Sequence, residues 1–182
     1  MSEKIIWGIV LLISAVSLFA AGYNALIKAS IQVKEAWAQI EVQLKRRYDL
    51  IPNLIATVKG YAAHEAGTFQ KVTEARANAI NATTPKEQAQ AENMLSGALK
   101  SLFAVSESYP DLKASQNFLS LQEELSTTEN KIAFSRQYYN DSVQKLNTLR
   151  STFPLLLIKN FTQPAEFFQG EEENKSVPEV KF

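Results

Sequence analysis

The chain has 182 residues with 19 Lys and Arg against 19 Asp and Glu, a formal net charge of zero, which argues against a dedicated nucleic-acid binder with its usual basic excess. It has no cysteine and one histidine, which excludes disulfides, thiolate nucleophiles and metal sites built from Cys or several His. Six Gly and six Pro are too few for a turn-rich β protein. The many Ala, Leu, Glu, Gln and Lys at heptad-like spacing therefore predict an all-α fold: an N-terminal transmembrane helix continuing into an antiparallel bundle of long helices.

Residues 5–27 carry no charge. A helix needs about 20 mostly apolar residues to cross a bilayer, and Trp7 and Tyr23 stand near the two ends, where amphipathic rings favour the interface. This stretch predicts a transmembrane helix, with membrane lipid as its partner. A cleaved signal peptide is the competing reading, weakened by the minimal polar start and the lack of an Ala-x-Ala site after the apolar run. Lys28, Lys34 and the Lys45-Arg46-Arg47 cluster follow the span, while Lys4, offset by Glu3, precedes it. The positive-inside rule then places a short N-terminus outside and the body in the cytoplasm. A signal anchor with the body outside is the alternative.

Residues 28–168 read as a helical bundle. Apolar residues recur at Val33, Trp37, Ile40 and Leu44, then at Ile51, Ile55, Val58, Ala62, Phe69 and Val72, alternating three and four. Between the two runs lies Lys45-Arg46-Arg47-Tyr48-Asp49-Leu50-Ile51-Pro52-Asn53-Leu54. Pro52 lacks an amide proton and crowds the preceding turn. Because the seam keeps its phase across it, we expect one long helix bent at Pro52 and running to about Ile80. A break with Asp49 as N-cap is the rival. Thr84, Pro85 and Glu87 then start a second body helix, ending near Glu107 with Leu95, Leu99 and Leu102 on one face. A third helix is expected from about Leu112 to Thr152, its seam formed by Phe118, Leu125, Ile132, Tyr139, Val143, Leu146 and Phe153. Phe153-Pro154 stops it. An apolar cluster at residues 155–158 and the aromatic Phe161, Phe167 and Phe168 follow, and residues 169–182 read as an acidic, flexible tail.

The seams also carry charge. Arg47, Glu65 and Arg76 fall at or beside seam positions of the first helix, and Glu129 and Arg136 on that of the third. An unpaired buried charge costs several kcal/mol, so these residues are expected to pair across the bundle and fix register. On that expectation Glu129→Ala destabilises the fold by leaving an Arg partner buried. The other reading has the same residues lining a polar groove for a ligand, although no nucleophile, metal cluster or glycine-rich loop lies near them in sequence. His64-Glu65 begins like a metalloprotease motif, but Thr68 stands where the second histidine is required. Tyr139, Asn140 and Asn147 form an amide-rich stripe suited to interhelical hydrogen bonds. The Lys45-Arg46-Arg47 cluster lies roughly 25 Å beyond the span, past a Debye length, which argues against direct lipid contact.

Arg46-Arg47-Tyr48-Asp49-Leu50-Ile51-Pro52-Asn53-Leu54 and Val58-Lys59-Gly60-Tyr61-Ala62-Ala63-His64-Glu65 resemble the signature of the LemA family, bacterial membrane-anchored helical proteins. The resemblance extends through Gly22-Tyr23-Asn24, residues 33–40, residues 72–76, residues 107–114, residues 128–133, Arg136-Gln137-Tyr138-Tyr139-Asn140 and Phe153-Pro154, from about Gly22 to Phe168. It implies a single-pass membrane protein with a bundle of long antiparallel helices. It carries over no catalytic residue and no cofactor. Some relatives have a lipid-anchor cysteine just before Tyr-Asn; Gly22 stands there in this chain, so that lipidation is excluded. The expectation is an interaction or scaffold module at the cell membrane rather than an enzyme. It binds another protein, unidentified, or itself as a homo-oligomer, and no nucleic acid or small-molecule substrate. A membrane-tethered ligand-binding or sensing module is the alternative.

Overall fold

The computed structural model describes residues 2–168, and among these there is no strand. The helices are α1 (Ser2–Lys59), α2 (Ala66–Asn81), α3 (Pro85–Ser106), the single turn α4 (Pro110–Lys113) and α5 (Gln116–Ser151), followed by a 3-10 segment, Leu155–Phe161. The acidic segment 169–182, expected to be flexible, lies outside the described residues. The helices divide between two compact units, one of residues 2–38 with 138–165 and one of residues 39–137 with 166–168.

The second unit is a four-helix bundle. Its core takes Ile51, Leu54 and Val58 from α1, Ala62 from the following loop, and Phe69, Val72, Ala75 and Ala79 from α2. Ala91, Leu95, Leu99 and Leu102 come from α3, Leu112 from α4, and Phe118 and Leu125 from α5. Tyr48 meets Ala79 across the first helix pair, so α2 runs antiparallel to α1. Arg46 and Arg47 meet Glu124 and Glu129, whereas Asn53 and Thr57 lie beside Asn117 and Ser120, so α5 also runs antiparallel to α1.

Pro52 sits inside α1, exposed, and the helix continues through it. Proline cannot donate to the carbonyl four residues back, here Tyr48. Arg76 of α2 takes over that bond, its Nε donating to the Tyr48 carbonyl at 2.8 Å. The orphaned acceptor is therefore satisfied from a neighbouring helix, and no break at Asp49 is needed.

The first helix stops twenty residues or so earlier than the seam suggests. It ends at Lys59, and Gly60, Tyr61, Ala62 and Glu65 tighten into turns: Tyr61 donates to the Val58 carbonyl at 3.0 Å and Glu65 to that of Ala62 at 3.1 Å. Glycine is about 1 kcal/mol worse than alanine in a helix, and Gly60 stands directly after the last helical residue. The third helix is likewise divided. Leu112 and Phe118 are both buried, but six residues apart on one helix they would face about 120° from each other. The chain breaks at Ala114 and Ser115, and the Ser115 carbonyl receives the first bond of α5 from Leu119.

Helix α3 starts where expected. The Glu87 amide donates to Thr84 Oγ1 at 3.2 Å, and Glu87 Oε2 accepts from the amides of Thr83 and Thr84, both at 3.1 Å, closing a capping box.

In the first unit α1 emerges from a bare apolar stretch. No residue from Glu3 to Ala21 is buried, and the first buried residue is Leu26. Leu26, Ala29, Val33 and Ala36 of α1 and Tyr139, Val143 and Leu146 of α5 are buried, as is Ile158 of the 3-10 segment. Phe153, expected on the seam, is instead 78% exposed beyond the end of α5, where the Phe153–Pro154 peptide is cis. Asn147 ties down the returning chain by donating to the Ala165 carbonyl at 2.9 Å and accepting from its amide at 3.2 Å.

Candidate functional site

Helix α1 places Arg47 and Tyr48 side by side, one turn before Pro52. Arg47 is 3% exposed. Its Nη1 reaches Glu92 Oε2 at 3.0 Å and Glu129 Oε2 at 2.7 Å, and Nη2 donates to Ser96 Oγ at 2.8 Å. The planar fork of arginine suits this three-way contact in a way a lysine ammonium does not. Tyr48 donates its phenol proton to Glu92 Oε1. Gln88 Nε2 lies 2.8 Å from the Tyr48 hydroxyl, 3.1 Å from the Ala79 carbonyl and 3.2 Å from Glu92 Oε1.

Glu92 is therefore the hub, a buried carboxylate receiving Arg47, Tyr48 and Gln88. Burial pushes its carboxyl above the usual value and the neighbouring Glu129 carboxylate adds to that, while the Tyr48 hydroxyl, Arg47 and Gln88 pull the other way. Burial also raises the Tyr48 phenol, with the Glu92 carboxylate acting in the same direction, so Tyr48 stays a proton donor at any ordinary pH. The network opens at Arg47 and Glu129 into a cleft of about 310 Å3, lined also by Ser96, Leu99, Lys100 and Phe103.

The other predicted residues are more scattered. Arg46 lies 3.8 Å from Glu124 with both side chains about half exposed, a pair of little energetic weight. Asp49, Pro52 and Asn53 are exposed, and Asn53 lines a shallow groove with Ala56, Thr57, Asn117, Ser120 and Leu121. Arg76 serves the Tyr48 carbonyl rather than a carboxylate. Glu65 stands at the N-cap of α2 without a side-chain cap bond. Arg136 lies over the Phe168 ring, 4.8 Å from its centroid, in cation–π range. Tyr139 is buried with its ring 5.3 Å from that of Trp37, and Asn140 is half-buried one residue on.

Of the expected set, Arg47 and Glu129 come together, and sequence reasoning missed Glu92, Gln88 and Ser96. These three recur every four residues beside the Leu95, Leu99 and Leu102 face of α3, a polar stripe that could have been read at helical spacing. Among the described residues no three His, Asp or Glu side chains converge as a metal would need.

The family model of the LemA family matches residues 36–182. The protein LemA of Metamycoplasma hominis is 30% identical over 134 residues, which make up 71% of this chain and 60% of that relative. The chain thus spans less than two thirds of the length of the relative it matches. On the signature around Pro52, the match over most of its length and the all-helical fold, the chain belongs to the LemA family.

Proposed function

We propose that the chain is a membrane-anchored interaction or scaffold module without catalysis. In this reading residues 5–27 cross the bilayer once, residues 28–168 form the body in the cytoplasm and residues 169–182 form a tail. The observation that carries it is α1 itself: the helix is long and apolar enough to span a membrane, and none of its most apolar stretch is buried by the rest of the chain. Ile5, Trp7, Leu11, Leu12, Val16, Leu18 and Phe19 are all more than half exposed, a surface that suits lipid and not water.

The pairing of Arg47 with Glu92 and Glu129 favours interaction over small-molecule binding, because two of the charges that would line a ligand site, Arg47 and Glu129, are already engaged with each other. Long, exposed helical faces suit a protein partner, a second copy of the chain included.

The test is protease accessibility of the body in spheroplasts and in inverted membrane vesicles. Digestion only in inverted vesicles is expected. Digestion in spheroplasts would place the body outside, and release of the intact chain by alkaline carbonate would remove the anchor altogether.

A further inference from the structure

Phe153 and the 3-10 segment that follows it carry a cluster of exposed apolar side chains outside the proposed span. Phe153 is 78% exposed, Leu157 76%, Phe161 60% and Leu156 43%, so one short run presents four large apolar side chains to its surroundings. The segment lies against α1 at an informative height. Pro154, Leu155, Leu157 and Ile158 line a cleft of about 200 Å3 with Ala15, Leu18 and Phe19, all of them apolar side chains. The Phe161 ring meets Tyr23 edge-on at 5.3 Å. Leu155 packs onto Gly22 so closely that a Cβ there would run into it.

Those α1 residues belong to the proposed span. If residues 5–27 are centred on a hydrocarbon core about 30 Å thick, Val16 lies at the midplane and Tyr23 about 10 Å from it, short of the boundary at about 15 Å. A segment touching Ala15, Phe19 and Tyr23 is then inside the same leaflet.

We infer that residues 153–161 form a second membrane contact, inserted into the lipid beside the span in the leaflet that faces the body. The occupant of the exposed face is acyl chain. The inference rests on the reading of residues 5–27 as a span. The segment's backbone suits that setting, since hydrocarbon leaves unmet only polar groups that find no internal partner. Leu157 donates to the Pro154 carbonyl at 3.1 Å and Thr162 to that of Lys159 at 3.2 Å. Arg150 Nη1 donates to the Lys159 carbonyl at 3.0 Å and to Thr162 Oγ1 at 2.9 Å. The long stem of Lys159 allows its charge to reach the headgroups, while the Arg150 guanidinium stays on its partners at the end of the segment.

The absence of native cysteine makes the test direct. Single-cysteine variants of the full chain are labelled with an environment-sensitive fluorophore and reconstituted into phosphatidylcholine–phosphatidylglycerol vesicles with or without a nitroxide on the acyl chain. Leu157→Cys and Phe153→Cys report on the segment, and both positions are exposed enough to spare the fold. Leu12→Cys reports on the span. Glu35→Cys, about 12 Å beyond Ile27 along α1, reports on water. Nitroxide quenching at Leu157 and Phe153 comparable to that at Leu12, and several-fold above that at Glu35, is expected. Quenching at Leu12 alone would overturn the second contact and leave the span standing, whether water, a second copy or the chain's own tail covers the segment. No quenching at Leu12 would overturn both.

Discussion

Arg47 and Pro52 define two different ways in which one residue constrains its neighbours. Arg47 is a buried cation held by Glu92, Glu129 and Ser96, and removing one member of a buried pair costs about 3–5 kcal/mol because the other is left unpaired. Arg47→Met is therefore expected to lower stability by about that amount in urea denaturation, with Arg47→Met/Glu92→Met recovering part of it. Glu129 differs from Glu92. It is half exposed, and Arg47 keeps Glu92 and Ser96 without it, so Glu129→Ala is expected to cost less than Glu92→Ala, contrary to what the seam pattern alone suggests. Glu92 also fixes a pH dependence. Its carboxyl lies above the ordinary value of 4.5 because burial penalises the charge, so the folded state holds more protons than the unfolded one. Its contribution is fully present below that value and is lost as pH rises through the folded one. The stability of the wild type relative to Glu92→Gln is expected to fall as pH rises above the ordinary carboxyl value of 4.5; an increase there would reverse the assignment. Pro52 acts through an absence. Arg76→Ala leaves the Tyr48 carbonyl unmet, at about 1–3 kcal/mol. In a Pro52→Ala background the new amide can satisfy that carbonyl, so the same truncation should cost markedly less. A double-mutant cycle showing additivity would sink the replacement bond.

At the scale of the element, the reliable signals are those with a local cause. Thr84, Pro85 and Glu87 form a capping box that local chemistry dictates, and α3 starts there as the sequence indicates. Thr84→Ala is expected to cost about 1 kcal/mol, a fall of about 2–4 °C in Tm for a chain of this size. Glu87 works with it: the Thr83 and Thr84 bonds hold its carboxyl below the usual range, so its contribution is present above 4.5 and lost as pH falls through the lowered value. That sign is opposite to Glu92 on the same helix. Periodicity was less decisive. It found Val33, Ile40, Leu44, Ile51, Val58, Phe69 and Val72, all buried, yet it ran through Gly60 because two helices sharing one core can keep a common phase across a loop. It missed Glu92 because a search for apolar spacing passes over the polar stripe beside it. Arg76 was legible as a seam residue, but its partner is a backbone carbonyl that only the proline makes available, and no pairwise pattern of charges displays that.

At the scale of the molecule, the bundle's composition and the bareness of α1 pull in opposite directions, and the membrane reconciles them. Twelve of the residues from Ile5 to Ile27 are Leu, Ile, Val or Phe, and at about 0.3–0.6 kcal/mol each they favour insertion by roughly 4–7 kcal/mol. An arginine near the centre of a span opposes insertion by about 2.5–3.5 kcal/mol. Leu12→Arg/Val16→Arg therefore tips the balance, since it adds two such penalties and deletes two apolar contributions. Neither side chain is buried by the rest of the chain, so the substitutions leave the bundle's core intact. The expected outcome is a folded, helical chain that alkaline carbonate extracts from membranes while the wild type stays in the pellet. An unchanged pellet fraction would mean that residues 5–27 do not hold the chain there. The same variant tests the order of events at the second contact. If the 3-10 segment enters lipid only because α1 carries it there, labels at Leu157 should lose their lipid quenching together with the anchor.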